Sequence, residues 1–181
     1  MLGANHRGKG WKPSQGFHFD AGSDGTCYYC QVTLYDELRS VLAALDQAGV
    51  DYALVGGLAV AVWGAPRATK DIDLLVGGDV LAQAMAAVRT QGFTLEALPF
   101  EFKDGTTLQR VSKVDKDGDL MTVDFIVVDR NLETAWASRT RLPFADRDVV
   151  VISREALIAM KALAARPQDI ADIQNLKEGD R

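Results

Sequence analysis

The segment covering residues 52–76 constrains the fold of this chain more than any other. It reads YALVGGLAVAVWGAPRATKDIDLLV: an apolar run of strand length, the pair Gly56-Gly57, a short apolar helix, and a second strand opened by two acidic residues. Because alternate residues of a strand point to the same side, Asp71 and Asp73 should project together while Ile72 enters the core. Two adjacent carboxylates repel each other unless a cation or a proton lies between them. The segment therefore predicts a strand–turn–helix–strand unit with a cation site at the start of its second strand.

Length, composition and charge predict one globular domain. The chain has 181 residues, of which 48% are hydrophobic and 25% charged, with a formal net charge of −5. An acidic chain argues against a broad nucleic-acid-coating surface but leaves room for a small basic patch. No apolar run approaches the roughly 20 residues of a membrane span, and the basic N-terminus lacks the apolar segment of a secretory signal. We expect a cytoplasmic protein with no membrane partner.

Residues 1–33 differ from the remainder in being glycine-rich and polar, without helical or alternating periodicity. They predict an N-terminal tail that is poorly structured or docks on a partner, and they leave residues 34–181 as the globular domain. Cys27 and Cys30 belong to this tail. The tail offers only two irregularly spaced histidines to complete a zinc site, so two free thiols in a reducing compartment are favoured over a metal or redox site.

Hydrophobic periodicity and turn residues predict an α+β fold, a mixed β-sheet flanked by helices and followed by C-terminal helices. The predicted elements are a helix from Leu34 to Gly49, strand Tyr52–Val55, helix Gly57–Trp63, strand Ile72–Val76, a helix capped by Asp79 and running to about Gln91, strand Phe93–Leu98, strands Leu108–Val114 and Leu120–Val128 across a turn at Asp115–Asp119, helix Asn131–Ser138, strands Leu142–Phe144 and Asp148–Ile152, a helix capped by Ser153, and a last helix Asp169–Leu176 after Pro167.

A third carboxylate occurs inside an apolar strand, at Asp124 in the segment MTVDFIVV. A lone Asp in mid-strand is costly to bury unless it is paired or bound to a metal. If this strand lies beside Ile72–Val76, Asp124 joins Asp71 and Asp73. Three carboxylates suit two Mg²⁺ ions, because Mg²⁺ binds carboxylate and phosphate oxygens together.

The Gly56-Gly57 pair lies where a strand ends and a helix begins. Glycine lets the backbone approach a ligand closely, and a helix N-terminus offers free N–H groups to an anion. On its own, a glycine pair favours a plain tight turn. The acidic residues that follow favour a phosphate site instead.

Gly56-Gly57, Asp71-Ile72-Asp73 and Val123-Asp124-Phe125 together resemble the signature of the polymerase-β-like nucleotidyltransferase superfamily, which has Gly-Gly or Gly-Ser, then Asp-x-Asp, then a third acid on a neighbouring strand. The flanking segments 67–73 and 157–172 resemble the AbiEii-like branch, the nucleotidyltransferase toxins of type IV toxin–antitoxin systems. The resemblance covers roughly residues 34–176 and implies the nucleotidyltransferase fold.

The resemblance also implies a reaction and roles for individual residues. Asp71, Asp73 and Asp124 would bind two Mg²⁺ ions, and Asp124 would help to deprotonate the acceptor hydroxyl. Gly56 and Gly57 would hold the triphosphate. Such enzymes transfer a nucleoside monophosphate from an NTP such as ATP to a hydroxyl and release pyrophosphate. The acceptor stays open between a tRNA 3′ end, a protein and a small molecule, and an antitoxin protein is an implied partner.

Three basic residues, Arg67, Lys70 and Lys161, are further candidates for the nucleotide site. Lys161 lies on or beside the buried face of its helix, where it either snorkels or, as the resemblance implies, contacts phosphate. Arg67 and Lys70 flank the acidic pair and either meet phosphate or balance charge. Asp169 and Asp172, spaced i, i+3 in a first helical turn, are equally well explained by the helix dipole.

Two other functions compete with a transferase. One is a non-catalytic partner-binding protein that retains the nucleotidyltransferase fold and uses its tail for interaction. A binding module has no need of clustered carboxylates, which argues against this function. The other is a metal-dependent phosphohydrolase, which would release phosphate from NTP without an acceptor.

Overall fold

The computed structural model describes residues 28–115 and 118–178. Within these ranges the elements, in chain order, are α1 Tyr28–Gln47, β1 Tyr52–Leu54, α2 Gly56–Val62, β2 Asp71–Gly77, α3 Leu81–Arg89, β3 Leu95–Glu96, β4 Phe100–Glu101, β5 Thr107–Val114, β6 Leu120–Val128, α4 Glu133–Ala137, β7 Thr140–Phe144, β8 Arg147–Val151, α5 Arg154–Ala164 and α6 Pro167–Glu178.

The strands form one mixed sheet in the order β3-β5-β6-β2-β1-β8-β7, with β4 also pairing with β5. β2 pairs in parallel with β6, and β1 pairs in parallel with β8. The other pairings are antiparallel. The predicted α+β class, with its mixed sheet and C-terminal helices, is confirmed.

The core explains why β2 lies in the interior of the sheet. Ile72, Leu74, Leu75 and Val76 are all fully buried, as an unbroken apolar run requires, and they join the same hydrophobic cluster as the apolar residues of α1 and α3. A strand flanked by β1 and β6 and covered in this way has a fixed register. The position of the two aspartates that open β2 is therefore fixed by packing.

Two sequence-based expectations were wrong near the edge of the sheet. Asp79 does not cap α3: the N-cap position is Val80, without a side-chain cap, because Val80 N–H donates to Gly77 O at 3.2 Å in the turn after β2. The predicted strand Phe93–Leu98 contracts to β3, and a further strand, β4, follows it. Pro99 separates the two, since proline has no N–H to donate to a strand ladder.

The boundary between tail and domain stays a prediction. α1 begins at Tyr28, ahead of Leu34. Cys27 and the part of the predicted tail before it lie outside the described residues.

At the C-terminal end the predicted cap of α5 is confirmed, whereas the last helix is longer at both ends than the predicted Asp169–Leu176. The Ser153 hydroxyl accepts a hydrogen bond from Ala156 N–H at 3.1 Å, as an N-cap does. Pro167 opens α6, where its missing N–H is one that the helix would leave unpaired in any case. No helix in the described part of the chain is long and apolar enough to cross a bilayer.

Replacing Ser153 with Ala should lower the free energy of unfolding by about 1 kcal/mol, because the first turn of α5 loses the acceptor for Ala156 N–H. Urea unfolding followed by tryptophan fluorescence measures the change. The matched control is Ser40→Ala: Ser40 is exposed within α1 and its hydroxyl only donates to Asp36 O, so its effect should stay within about 0.5 kcal/mol. Equal effects of the two substitutions would contradict the capping role.

Candidate active site

The parallel pairing of β2 with β6 brings the three aspartates onto one face of the sheet. Asp73 lies directly opposite Asp124, and Asp71 lies opposite Thr122. Paired residues of neighbouring strands project to the same side, and so do residues i and i+2 of one strand. Ile72, between the two acids, is fully buried on the other side. The three carboxylates therefore project from neighbouring positions of two adjacent strands.

The glycine pair is in direct contact with this acidic group. Gly56 has φ of +66°, and a Cβ atom built on it would lie 1.9 Å from Asp73 Oδ2. Val55 N–H donates to Asp73 O at 2.9 Å, which fixes the turn against β2. Only glycine meets both demands, because any side chain would be strained at this φ and would collide with the carboxylate. The two motifs of the sequence thus form one structural unit.

Gly57 packs against the loop that leads to β2. A Cβ atom on Gly57 would lie 2.7 Å from Thr69 Oγ1 and 3.0 Å from Arg67 Nη1. The Arg67 guanidinium therefore lies beside the glycine turn. Its own partner is a carboxylate of α6: Arg67 Nε donates to Asp172 Oδ1 at 2.8 Å, and Nη2 donates to Oδ2 at 3.0 Å.

A buried group of charges lies between α5 and α6. Lys161 Nζ donates to Asp172 Oδ2 at 2.7 Å and to Asp169 Oδ1 at 3.3 Å. Lys161 is only 4% exposed, so it does not snorkel. Asp169 also accepts from Arg166 Nε at 2.7 Å. Both aspartates are fully buried and ion-paired, which the helix dipole alone does not explain. In spite of their burial, hydrogen bonds from these cations hold the pKa values of both below the usual range.

The charges of this region act on Asp73. Its burial, and then the carboxylates of Asp124 and Asp71, raise the pKa of Asp73 to about 7, while Lys161 and Arg166 lower it. Burial and Asp124 likewise raise the pKa of Asp71, against the opposing influence of Arg110 and Lys70. The repulsion expected from the sequence is present, and a divalent cation is the species that would relieve it.

Arg110 is the site residue that the sequence reasoning missed. It lies on β5 opposite Asp124, with Nε 2.8 Å from Oδ1 and Nη2 2.7 Å from Oδ2. A signal for it exists in the hairpin. Asp115 and Asp119 are the ends of the predicted turn. Counting the same number of residues back from Asp115 and forward from Asp119 places Arg110 directly across from Asp124.

Every residue predicted for the site either lies around the start of β2 or acts electrostatically on the carboxylates there. Gly56, Gly57, Arg67, Asp71, Asp73 and Asp124 surround the start of β2, and Lys70 and Lys161 act on its carboxylates from the adjoining loop and helix. Their functional roles stay predictions. No three His, Cys, Asp or Glu side chains in residues 28–115 and 118–178 converge as a formed metal site. The donor chemistry nevertheless fits Mg²⁺, which prefers carboxylate oxygens.

The fold is that of a nucleotidyltransferase. One similar structure is the lincomycin-bound lincosamide antibiotic adenylyltransferase LnuA, with 18% identity, coverage of 78% of this chain and 95% of that chain, and a TM-score of 0.55. A second is ANT(2")-Ia in complex with adenylyl-2"-tobramycin, with 22% identity, 81% and 87% coverage, and a TM-score of 0.55. A third is a putative nucleotidyltransferase from Thermotoga maritima, with 14% identity, 83% and 96% coverage, and a TM-score of 0.59.

Residues 40–180 match the family described as "Nucleotidyl transferase AbiEii toxin, Type IV TA system", and the chain belongs to that family. It is accordingly a nucleotidyltransferase, an enzyme that transfers a nucleotidyl group from an NTP. No match was found among the curated proteins. The resemblance inferred from the sequence motifs is confirmed.

Gly56→Ala should destabilise the protein by about 3 kcal/mol or more, because the new methyl group meets the Asp73 carboxylate at a backbone angle that disfavours alanine. Gly49→Ala is the matched control. Gly49 has nearly the same φ, +67°, but open space at its Cβ position, so the backbone strain alone should cost about 1 kcal/mol. Chemical unfolding measures both values. A Gly56→Ala loss no larger than the control would contradict the close contact.

In metal-free buffer with EDTA, the free energy of unfolding should fall as pH rises from about 4 to 7. Asp73 has a folded-state pKa of about 7 against an ordinary 3.8, so in this window the folded protein holds a proton that the unfolded chain has released. Stability then falls with pH, by at most about 1.4 kcal/mol per unit for this one group. Asp169 and Asp172, with lowered pKa values, lose their contribution only below about pH 4.

Urea titrations at pH 5, 6, 7 and 8 measure this dependence, and Asp73→Asn isolates it. Asparagine carries no titrating proton at this position, so the variant should show a flatter profile and a gain over wild type that grows with pH. Parallel profiles for the two proteins would show that Asp73 titrates normally.

Proposed function

We propose that this chain transfers a nucleoside monophosphate from an NTP to a hydroxyl acceptor and releases pyrophosphate, with Mg²⁺ bound by Asp71, Asp73 and Asp124. The observation that carries the proposal is the register of β2 with β6, which places Asp73 opposite Asp124 while Gly56 lies against the Asp73 carboxylate. Metal ions at such a site supply charge stabilisation for the attacking and leaving oxygens of a phosphoryl transfer.

Backbone and side-chain groups of the chain supply the remaining functions of the site: binding the triphosphate, stabilising its charge and accepting a proton. Gly56 and Gly57 present backbone N–H groups, free of side chains, to the triphosphate. Arg67, Lys70 and Lys161 supply positive charge near it, and the catalytic contribution of such groups is positioning and electrostatic stabilisation. Asp124 accepts the proton of the acceptor hydroxyl. The carboxylate of Asp172 binds both Arg67 and Lys161 and holds their charges close together, which supports their proposed role near the triphosphate.

The acceptor is a tRNA 3′ end, a protein hydroxyl or a small molecule. One solved structure of the same fold is a lincosamide antibiotic adenylyltransferase by its title, and another is in complex with adenylyl-2"-tobramycin, which supports testing small molecules beside RNA and protein. Membership of the AbiEii family supports a role as the toxin of a toxin–antitoxin pair in the cytoplasm, with an antitoxin protein as partner. It also favours an enzyme over the non-catalytic binding protein considered from the sequence.

The test is transfer of label from each α-³²P NTP to total tRNA, to cell protein and to a panel of small hydroxyl compounds, with Mg²⁺ present. Asp73→Asn and Asp124→Asn should each lower the transfer rate by roughly a thousandfold, because each removes a proposed metal ligand. Asp51→Asn, an exposed acid just before β1, should leave the rate unchanged.

Two results would overturn the proposal. One is an absence of transfer to every acceptor together with an absence of NTP binding by the wild-type protein. The other is transfer by Asp73→Asn at the wild-type rate. Release of phosphate without any labelled acceptor would instead indicate a phosphohydrolase.

A further inference from the structure

Arg110 and Asp124 form the closest ion pair on the face that carries the three aspartates. The guanidinium engages both carboxylate oxygens, at 2.8 Å and 2.7 Å, in a two-point pairing that monodentate contacts cannot match in strength. Asp71 and Asp73, by contrast, form no ion pair with any residue in the described ranges. One of the three proposed metal ligands is thus already neutralised by the protein, and the other two are not.

The two partners differ in freedom of movement. Asp124 is only 3% exposed and is held in the interior strand β6 between β2 and β5. The Arg110 side chain is 46% exposed, so its guanidinium can turn into solvent without opening the core. If the pair separates, the arginine is the member that moves.

We propose that Arg110 is an internal counter-ion that competes with the divalent metal for Asp124. In the metal-free protein it holds both carboxylate oxygens, and it turns away when the metal and its nucleotide bind. This inference rests on the proposed metal-dependent function.

A positive charge in contact with both oxygens lowers the affinity of Asp124 for any second cation. It also stabilises the three adjacent carboxylates while the metal is absent. In the described residues the three aspartates share one face but do not form a ready metal-binding group, as expected if Arg110 holds one of them. Arg110 thereby sets the metal affinity and delays assembly of the site until the metal arrives.

If Arg110 instead supported metal binding, its removal would change the metal affinity in the opposite direction. An arginine that stays bonded to a metal-bound carboxylate orients that ligand, and its removal then weakens metal binding. Metal affinity therefore distinguishes a competitor from a supporting residue by the sign of the change.

The experiment is a titration of the full-length chain with Mn²⁺, followed by electron paramagnetic resonance of the free ion, in the absence of nucleotide. Arg110→Gln should bind Mn²⁺ roughly tenfold more tightly than wild type, because the bidentate competitor is gone. Arg110→Lys should fall between the two, because lysine keeps the charge without the fork that grips both oxygens.

Arg89→Gln is the matched control. It removes an arginine of similar exposure (54% for its side chain) that pairs with Glu96, away from the aspartates, and its Mn²⁺ affinity should equal that of wild type. Thermal melting gives a second readout: Arg110→Gln should melt at a lower temperature than wild type in EDTA and gain more from added Mn²⁺.

The outcomes separate this inference from the proposed function. Mn²⁺ binding that depends on Asp73 but is equal or weaker in Arg110→Gln overturns the counter-ion role alone. Mn²⁺ binding that is absent from wild type and every variant, or unchanged in Asp73→Asn, overturns the metal site and the inference with it. If Arg110→Gln fails to fold, the Arg110→Lys affinity decides by the same sign.

Discussion

The parallel pairing of β2 with β6 is the constraint on which the rest of this site depends. Both strands are interior and apolar, so burial fixes their register, and the register places Asp73 beside Asp124. A shift of one residue would turn Asp71 and Asp73 to the face where Ile72 is now fully buried and would bring Ile72 to the face of the aspartates. The hydrophobic core thus determines where the acidic group stands, although none of the carboxylates takes part in that core.

Three neighbouring carboxylates repel one another, and cations from the surrounding elements offset part of this repulsion. Three elements near the aspartates contribute a cation: Arg110 comes from β5, Lys70 from the loop before β2, and Lys161 from α5. Lys161 and Arg67 are in turn held by the buried Asp172 of α6. The charges of Lys161 and Arg67 are thereby kept near the acidic group at fixed positions, an arrangement that suits the proposed binding of phosphates and metal.

Gly56 belongs to a motif that can be recognised in the sequence, although the physical requirement for glycine is visible only in the structure. A glycine pair between a strand and a helix indicates a turn, and the acidic residues that follow it favour a phosphate site, but neither observation explains why glycine is needed at this position. The structure adds that the Asp73 carboxylate occupies the space a side chain would need. Lys161 was similarly placed on a buried helix face, but only the packing of α5 against α6 shows that it is ion-paired and not snorkelling.

The sequence by itself determined the α+β class, most of the elements, and the identity of the three aspartates and the glycine pair. It could do so because local periodicity and polar residues inside apolar strands are properties of neighbouring positions. It misplaced the start of α3 and the strands around Pro99, where a turn or a proline overrides the hydrophobic pattern. Only the tertiary structure decided which cation meets which carboxylate. Arg67 and Asp172 are brought together by helix packing, and their separation along the chain carries no mark of that contact. For Arg110 and Asp124, the hairpin implies that the two residues lie opposite each other, but only the structure shows the two-point ion pair.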